Sequence, residues 1–310
     1  MQRTRSRMLL AILCLIGVAY VPETRGQGTA NGQKGHDREF WRAIAKNHYA
    51  IPAGQEAFPL VQELSGYLGS TDPELRDDLA YSMVAVWIGR QKKLSPEQLT
   101  TLVEEWQGNL RSGIGETGTD SVFKRSFSAL CLSVLAEREL KEPFLGDTRY
   151  RALLSEALKY LDDERDLRGF DAKKGWIHAT AHTADLLAAL AENKLFTKQD
   201  EERVLKAITQ RLASASEIFS YGEQDRLANV AAAIASRDDF DGDAWRTWVT
   251  AMGKEDKVVW QDSPPKMQLL ARYENDSYFL GATISQISFR PPTNQSAEAQ
   301  KAVIAILRRR

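Results

Sequence analysis

The chain has 310 residues, of which 43% are hydrophobic and 27% are charged, and its formal net charge at pH 7 is -1. An apolar fraction of this size is typical of a globular protein with a sizeable core, which excludes a wholly disordered chain. The near-neutral charge gives no reason to expect nucleic acid or an anionic membrane surface as a partner.

The first 26 residues have the pattern of a secretory signal peptide. Arg3, Arg5 and Arg7 form a basic start, an uncharged apolar run follows over residues 8–21, and small residues up to Gly26 offer a cleavage site. The apolar run is shorter than the roughly 20 residues that span a bilayer. We therefore expect an exported protein, periplasmic or secreted, with no stable membrane span after cleavage. An uncleaved N-terminal anchor is the alternative.

The segment after the leader changes in composition. Residues 27–36 are rich in Gly, Gln, Asn and Thr, which is typical of a flexible linker, and residues 37–310 are predicted to form a single all-helical domain. Cleavage removes Cys14 and leaves Cys131 as the one cysteine of the mature chain, so no disulfide within the chain is expected. Cys131 lies in an apolar helical stretch and is predicted to be a buried small hydrophobe.

Helical signals continue along the rest of the chain. Asp72-Pro73 and Ser95-Pro96 each place a capping residue before a first-turn proline, and an apolar-periodic stretch follows each pair. Further helices are predicted over residues 120–136, 148–161, 176–191, 198–213, 223–235, 243–252, 266–289 and 296–308.

The rhythm of these helices predicts the fold class. The links between them are short, and no segment alternates with a period of two, so strands are not predicted. The prediction is an all-α protein of stacked antiparallel helix pairs, as in a HEAT-like α-solenoid or an α/α array. No residue identities recur at a fixed period, so the repeat interpretation depends on helix rhythm alone.

Two of the four histidines stand close together on one predicted helix. His178 and His182 are four residues apart and Asp185 is three further on, so the three side chains fall within roughly 60° of one another around the helix axis. The rest of this helix is apolar or small, which is typical of a buried helix. Its polar stripe must then meet other polar groups or a wet cleft, because unpaired buried polar groups are costly.

Three interpretations of this stripe stay open. The first is a structural hydrogen-bond network in which the histidines donate to carbonyls or acids and Asp185 pairs with Arg168 or Arg226. The second is a ligand or substrate site without metal. The third is a divalent-metal site in which His178, His182 and Asp185 bind zinc and a water completes the shell. Ala179 occupies the position of the glutamate in the zincin helix motif, so a zincin mechanism is not predicted. The acidic candidates for a fourth ligand or a general base are Glu164, Asp166, Glu223 and Asp225.

Several ordered motifs resemble a known family. The motifs lie at residues 68–77, 119–127, 164–170, 175–185 and 223–227, and together they cover roughly residues 40–235. On these motifs the chain resembles the uncharacterised bacterial proteins grouped as domain of unknown function 2785. The resemblance implies an all-helical, HEAT-like domain and a bacterial source. It carries no established activity, so no catalytic residue is transferred.

Two functions are consistent with these observations. The first is a binding or scaffold protein of the cell envelope, with a protein or a small molecule as its ligand. The alternative is a hydrolase, metal-dependent or not, whose pocket is walled by the His178 helix, residues 164–168 and residues 223–226. Convergence of the histidines with acids in an open cleft favours the hydrolase, and buried, mutually paired side chains favour the binding protein. Carbohydrate stacking by some of the seven tryptophans is a further alternative.

Overall fold

Helices make up nearly all of the regular structure in residues 35–252 and 256–310, which are the residues that the computed structural model describes. The predicted signal peptide and most of the predicted linker lie outside these residues. The α-helices are α1 (Arg38–Lys46), α2 (Ala57–Ser65), α3 (Ser82–Val84), α4 (Pro96–Asn109), α5 (Ser121–Lys141), α6 (Gly146–Asp163), α7 (Ala179–Ala191), α8 (Lys198–Ser214), α9 (Glu223–Ala235), α10 (Gly242–Met252), α11 (Met267–Ser288) and α12 (Asn294–Leu307).

Shorter helical segments complete the array. Wide π-helical turns over Glu74–Tyr81 and Ala85–Arg90 extend α3 in both directions, so the predicted helix after Asp72-Pro73 is present but widened. Two 3-10 segments lie at Gly66–Gly69 and Asp256–Trp260.

The predicted start of α4 is confirmed in detail. The Ser95 side chain accepts a hydrogen bond from the backbone nitrogen of Gln98, the Gln98 side chain accepts from the Ser95 backbone, and Pro96 occupies the first turn. The pair therefore satisfies two backbone donors that the helix itself leaves without partners.

The helices form two layers. In one layer α5, α7, α9 and α11 pack side by side in that order, and in the other α4, α6, α8 and α10 do the same. The two layers enclose one continuous apolar core, and α12 closes it against α10 and α11. The all-α prediction is therefore correct. Cys131 is fully buried in this core, and burial raises the pKa of its thiol.

Among the described helices, none combines the length and the apolar character needed to cross a membrane.

A short hairpin corrects the prediction that the chain has no strands. Strand β1 (Phe170–Asp171) pairs antiparallel with β2 (Gly175–Trp176), and Phe170 lies opposite Trp176. The carboxylate of Asp171 accepts hydrogen bonds of 2.8 Å from the backbone nitrogens of Lys173 and Lys174, which closes the turn. Strands of two residues are too short to show an alternating pattern, so the sequence contained no strand signal to detect.

Candidate functional site

The backbone at His178 differs from the prediction. The helix predicted from residue 176 begins at Ala179, and His178 precedes it with φ 50° and ψ 30°, in the left-handed region. The backbone nitrogens of Ile177 and His178 both donate to the carbonyl of Gly169, at 2.9 and 3.2 Å. The two β-strands therefore lead directly into α7, and His178 stands at their junction rather than inside the helix.

The two imidazoles still meet. The ring centroids of His178 and His182 lie 5.6 Å apart, edge to face, and both side chains are buried. Asp185 does not join them, because its carboxylate accepts two hydrogen bonds from the Arg226 guanidinium at 2.7 and 2.8 Å. We refer to His178 and His182 as the imidazole pair.

The hydrogen bond of His178 fixes its tautomer. Its Nε2 lies 2.9 Å from the carbonyl oxygen of Tyr221, which can only accept, so Nε2 carries the proton and Nδ1 the lone pair. The pKa of His178 is lowered to about 4, chiefly because burial penalises the charged ring. The Arg226 charge acts in the same direction, and the hydrogen bond to Tyr221 opposes it.

His182 has the opposite tautomer. The Ser126 hydroxyl donates to the carbonyl of Ile177, so it accepts from Nδ1 of His182 at 2.8 Å and leaves the lone pair on Nε2. Burial lowers the pKa of His182 well below its ordinary value, and the neighbouring His178 adds to this. Both rings are therefore neutral at pH 7. Nδ1 of His178 and Nε2 of His182 are not among the fully buried side-chain atoms that lack a hydrogen-bond partner in the described residues.

Glu164 belongs to a buried ion pair. Its two carboxylate oxygens accept hydrogen bonds from Arg125 of α5 at 2.7 and 3.1 Å, and both side chains are buried. Arg125 also donates to the backbone carbonyls of Ser112 and Gly113. The pair therefore holds the link between α4 and α5 in place, which is a structural role.

Asp166 has a similar role. Its carboxylate accepts from Arg168 and, at 2.9 Å, from the backbone nitrogen of Gly118, and Arg168 in turn donates to the carbonyl of Thr119. The acidic candidates of the 164–168 loop therefore fix a neighbouring loop and do not face the imidazole pair.

The two acids at the start of α9 have different surroundings. Glu223 is buried, its Oε1 lies 3.7 Å from Nε2 of His178, and its Oε2 accepts from the backbone nitrogen of Tyr221 at 2.9 Å. Burial raises the pKa of Glu223. Asp225 is exposed and lines a cavity together with residues of α11. Of the four acidic candidates, Glu223 is the one that approaches the imidazole pair.

The residues present do not assemble a zinc site. Across residues 35–252 and 256–310, no three His, Cys, Asp or Glu side chains are grouped so that they could hold a metal ion. The reason at the predicted site is the Asp185–Arg226 pair, which occupies the carboxylate that was expected to be the third ligand. Zinc binding by these residues stays a prediction.

An exposed aromatic cluster lies against His178 and was not predicted. Trp176 stacks on the His178 ring at 4.5 Å between centroids, with 28° between the planes, and Phe170 and Tyr221 lie 4.9 and 6.5 Å from Trp176. The three rings are 41% (Phe170), 43% (Trp176) and 47% (Tyr221) exposed. We call these three residues the aromatic surface. Its sequence signal was the pair of Phe170 and Trp176 on either side of the turn, which becomes visible only once the hairpin is recognised.

Close backbone contacts hold the aromatic surface in position. A Cβ at Gly169 would lie 2.5 Å from Oε1 of Glu223 and 2.8 Å from Cβ of Tyr221, so the chain can approach α9 this closely only with glycine. On the other side, Arg76 donates to the carbonyl of Lys174 at 2.7 Å.

Arg76 is itself firmly held. Its side chain is fully buried, and its guanidinium lies 4.2 and 4.6 Å from the ring centroids of Phe123 and Phe127. The hairpin is therefore fixed from both sides.

Comparison with known proteins gives a family and no further relatives. A family model described as "Protein of unknown function (DUF2785)" matches residues 110–283, which is more than half of the chain. The matched range contains the imidazole pair, the four acidic candidates and the aromatic surface. No curated protein and no solved structure matches the chain significantly.

Proposed function

The chain belongs to the family described as protein of unknown function DUF2785, and from its site we propose that it is a non-catalytic binding protein of the cell envelope that holds its ligand on the aromatic surface. The ligand is a protein or a small molecule and not a nucleic acid, in line with the near-neutral charge. The location rests on the leader, residues 1–26, which lies outside the described residues.

The observation that carries the proposal is the exposed aromatic surface. Monomeric proteins rarely leave large aromatic side chains exposed in one contiguous group, and such groups are typical of binding sites. One face of Trp176 rests on the neutral His178 ring, while 43% of the side chain stays exposed. A ring supported from below and held by the hairpin loses little conformational entropy when a ligand covers it.

The hydrogen bonds that the candidate catalytic groups already make support binding rather than hydrolysis. Glu164, Asp166 and Asp185 each accept hydrogen bonds from an arginine. An imidazole whose pKa is about 4, as for His178, is a weak base at neutral pH, far from the value that suits general-base catalysis. Of the four acidic candidates, Glu223 alone lies beside a histidine, and that histidine, His178, is not suitably basic.

The proposal is tested by oxidative footprinting of the purified protein, with and without envelopes isolated from its source cell. We expect oxidation of Trp176 and Tyr221 to fall severalfold when envelopes are added, because the ligand covers both rings. Trp260 and Phe289, which are 59% and 81% exposed, are matched controls whose oxidation stays unchanged. Mass spectrometry of peptides gives the four rates.

Two results would contradict the proposal. One is equal oxidation of Trp176 with and without envelopes. The other is turnover of a chromogenic ester or phosphoester by the wild type that a folded His182→Gln variant lacks. That result would support the hydrolase alternative.

A further inference from the structure

An open cavity of about 620 Å³ lies beside the start of α9. This volume is within the range of small-molecule sites. Its lining comes from the loop and first turn of α9 and from one face of α11. The lining residues that the argument uses are Ser220, Gln224, Asp225, Ser277 and Tyr278.

The amide of Gln224 is oriented by the fold. Its Nε2 donates to the carbonyl of Phe219 at 2.8 Å and to Oδ1 of Asn275 at 3.1 Å, which uses both amide hydrogens. The side chain is 5% exposed and lines the cavity. Its Oε1 has no hydrogen-bond partner within the described residues. Because it is not one of the fully buried atoms that lack a partner, this oxygen stays accessible. The carbonyl oxygen is therefore an acceptor presented to the cavity.

Asn275 of α11 keeps this acceptor in place. It is fully buried, its Oδ1 accepts from the backbone nitrogen of Phe219 at 2.8 Å, and its Nδ2 donates to the carbonyl of Glu217 at 3.0 Å. The Asn275 amide therefore fixes both the loop and Gln224. A ligand meets a preformed acceptor and pays little to order it.

The chemistry of the lining suits a ligand rich in hydroxyl groups. Gln224 and Asp225 offer acceptors, whereas Ser220 and Ser277 already donate to backbone carbonyls and present only lone pairs. A ligand hydroxyl donates to such acceptors, and the exposed ring of Tyr278 offers a stacking face for a sugar. The Asp225 carboxylate lies in the first turn of α9, where the helix dipole compensates its charge, so a cationic ligand is not required.

We propose that this cavity is a saccharide-binding site in which Oε1 of Gln224 accepts a hydrogen bond from a sugar hydroxyl and Tyr278 stacks on the sugar ring. The site shares no residue with the aromatic surface. It therefore goes beyond the proposed function, and either proposal can fail without the other.

The test is calorimetric titration of the full protein with three neutral probes, maltotriose, cellotriose and triacetylchitotriose, and with choline as a cationic probe. We expect saturable binding of at least one trisaccharide at millimolar concentration or below, and none of choline. Tyr278→Ala and Gln224→Met should each weaken that binding by about tenfold or more. Phe289→Ala, an exposed ring outside both the lining and the aromatic surface, is the matched control and should leave the affinity unchanged.

Tyr278 is 59% exposed, so its truncation does not threaten the fold and decides the test even if Gln224→Met unfolds. Three outcomes would overturn the proposal: no binding of any trisaccharide, preferential binding of choline, or trisaccharide binding that Tyr278→Ala leaves intact. Loss of binding in Tyr221→Ala alone would move the saccharide to the aromatic surface and would equally overturn it.

Discussion

At the scale of single residues, Arg125 and Arg111 make the same two-point contact with a glutamate in different surroundings. Arg125 and Glu164 are buried, whereas the Arg111 side chain is 66% exposed beside Glu156. We expect Arg125→Met to lower the free energy of unfolding by about 3–5 kcal/mol, because it leaves a buried carboxylate without its partner. Arg111→Met should have little effect, since water and salt screen that pair. Equal losses in urea unfolding would contradict this contrast.

The neutral ring of His178 couples stability to pH. Its ordinary pKa of 6.5 applies in the unfolded chain and falls to about 4 in the folded one, so the unfolded state takes up the proton more readily. The free energy of unfolding therefore keeps its full contribution from the neutral His178 ring above pH 6.5. It falls by about 3 kcal/mol in all as the pH is lowered toward 4. We therefore expect the folded state to weaken less over this range in His178→Asn, a variant whose asparagine tolerates the left-handed backbone.

The effect of His178 is the difference in unfolding free energy between the wild type and His178→Asn at each pH. Asp77 and Glu201 have pKa values raised by burial to about 6 and about 7, so each stabilises the folded state as the pH falls and opposes His178. Those terms cancel when the two curves of unfolding free energy against pH are subtracted. Parallel curves between pH 4 and 6.5 would show that His178 does not carry the coupling.

At the scale of elements, the hairpin depends on its close approach to α9. Gly169→Ala would place a methyl group against Tyr221 and Glu223, so we expect a loss of about 1–3 kcal/mol in unfolding free energy. Gly66→Ala is the matched control, because no atom lies within 4 Å of its added Cβ and its φ is not positive. Chemical denaturation measures both. An unchanged Gly169→Ala would mean that the hairpin shifts freely on α9.

The helices were predictable because their signals are local. Apolar periodicity with capping residues, as at Ser95, placed α9 at its observed limits and most other helices within a few residues. The hairpin was not predictable in this way, because a side-chain turn at Asp171 and four strand residues leave no periodic pattern. The predicted helix therefore ran through Trp176 and His178 and missed the left-handed junction.

The candidate site was predictable only in part, because partner choice is not local. Spacing alone brought His178 and His182 together, as observed. The structural interpretation named Arg226 as one of two partners for Asp185, and this pair is present, but spacing alone could not choose it over a metal shared with the histidines. Tyr221 meets Trp176 only because α7 and α9 are neighbours in one layer, a fact that no pairwise spacing in the sequence reveals.

At the scale of the whole molecule, the long helices α5, α7 and α9 are the most deeply buried part of the array. Every residue of α7 except Asp185 is buried, whereas α1 packs mainly on the first π-helical segment. We expect amides of α7 and α9 to exchange with solvent only through near-global opening, and amides of α1 to exchange through local opening. Native-state hydrogen exchange measures these free energies. Equal values for α1 and α7 would indicate a single cooperative unit.

The alanines of α7 and α9 have a consequence for how such a chain can diverge. Most positions on these helices are alanine or another buried apolar residue, so the two backbones leave almost no room for larger side chains. Substitutions are therefore tolerated better at the exposed side chains of Phe170, Trp176 and Tyr221, which lie outside this interior. New binding preferences can arise there one side chain at a time, while the interior that supports them stays unaltered.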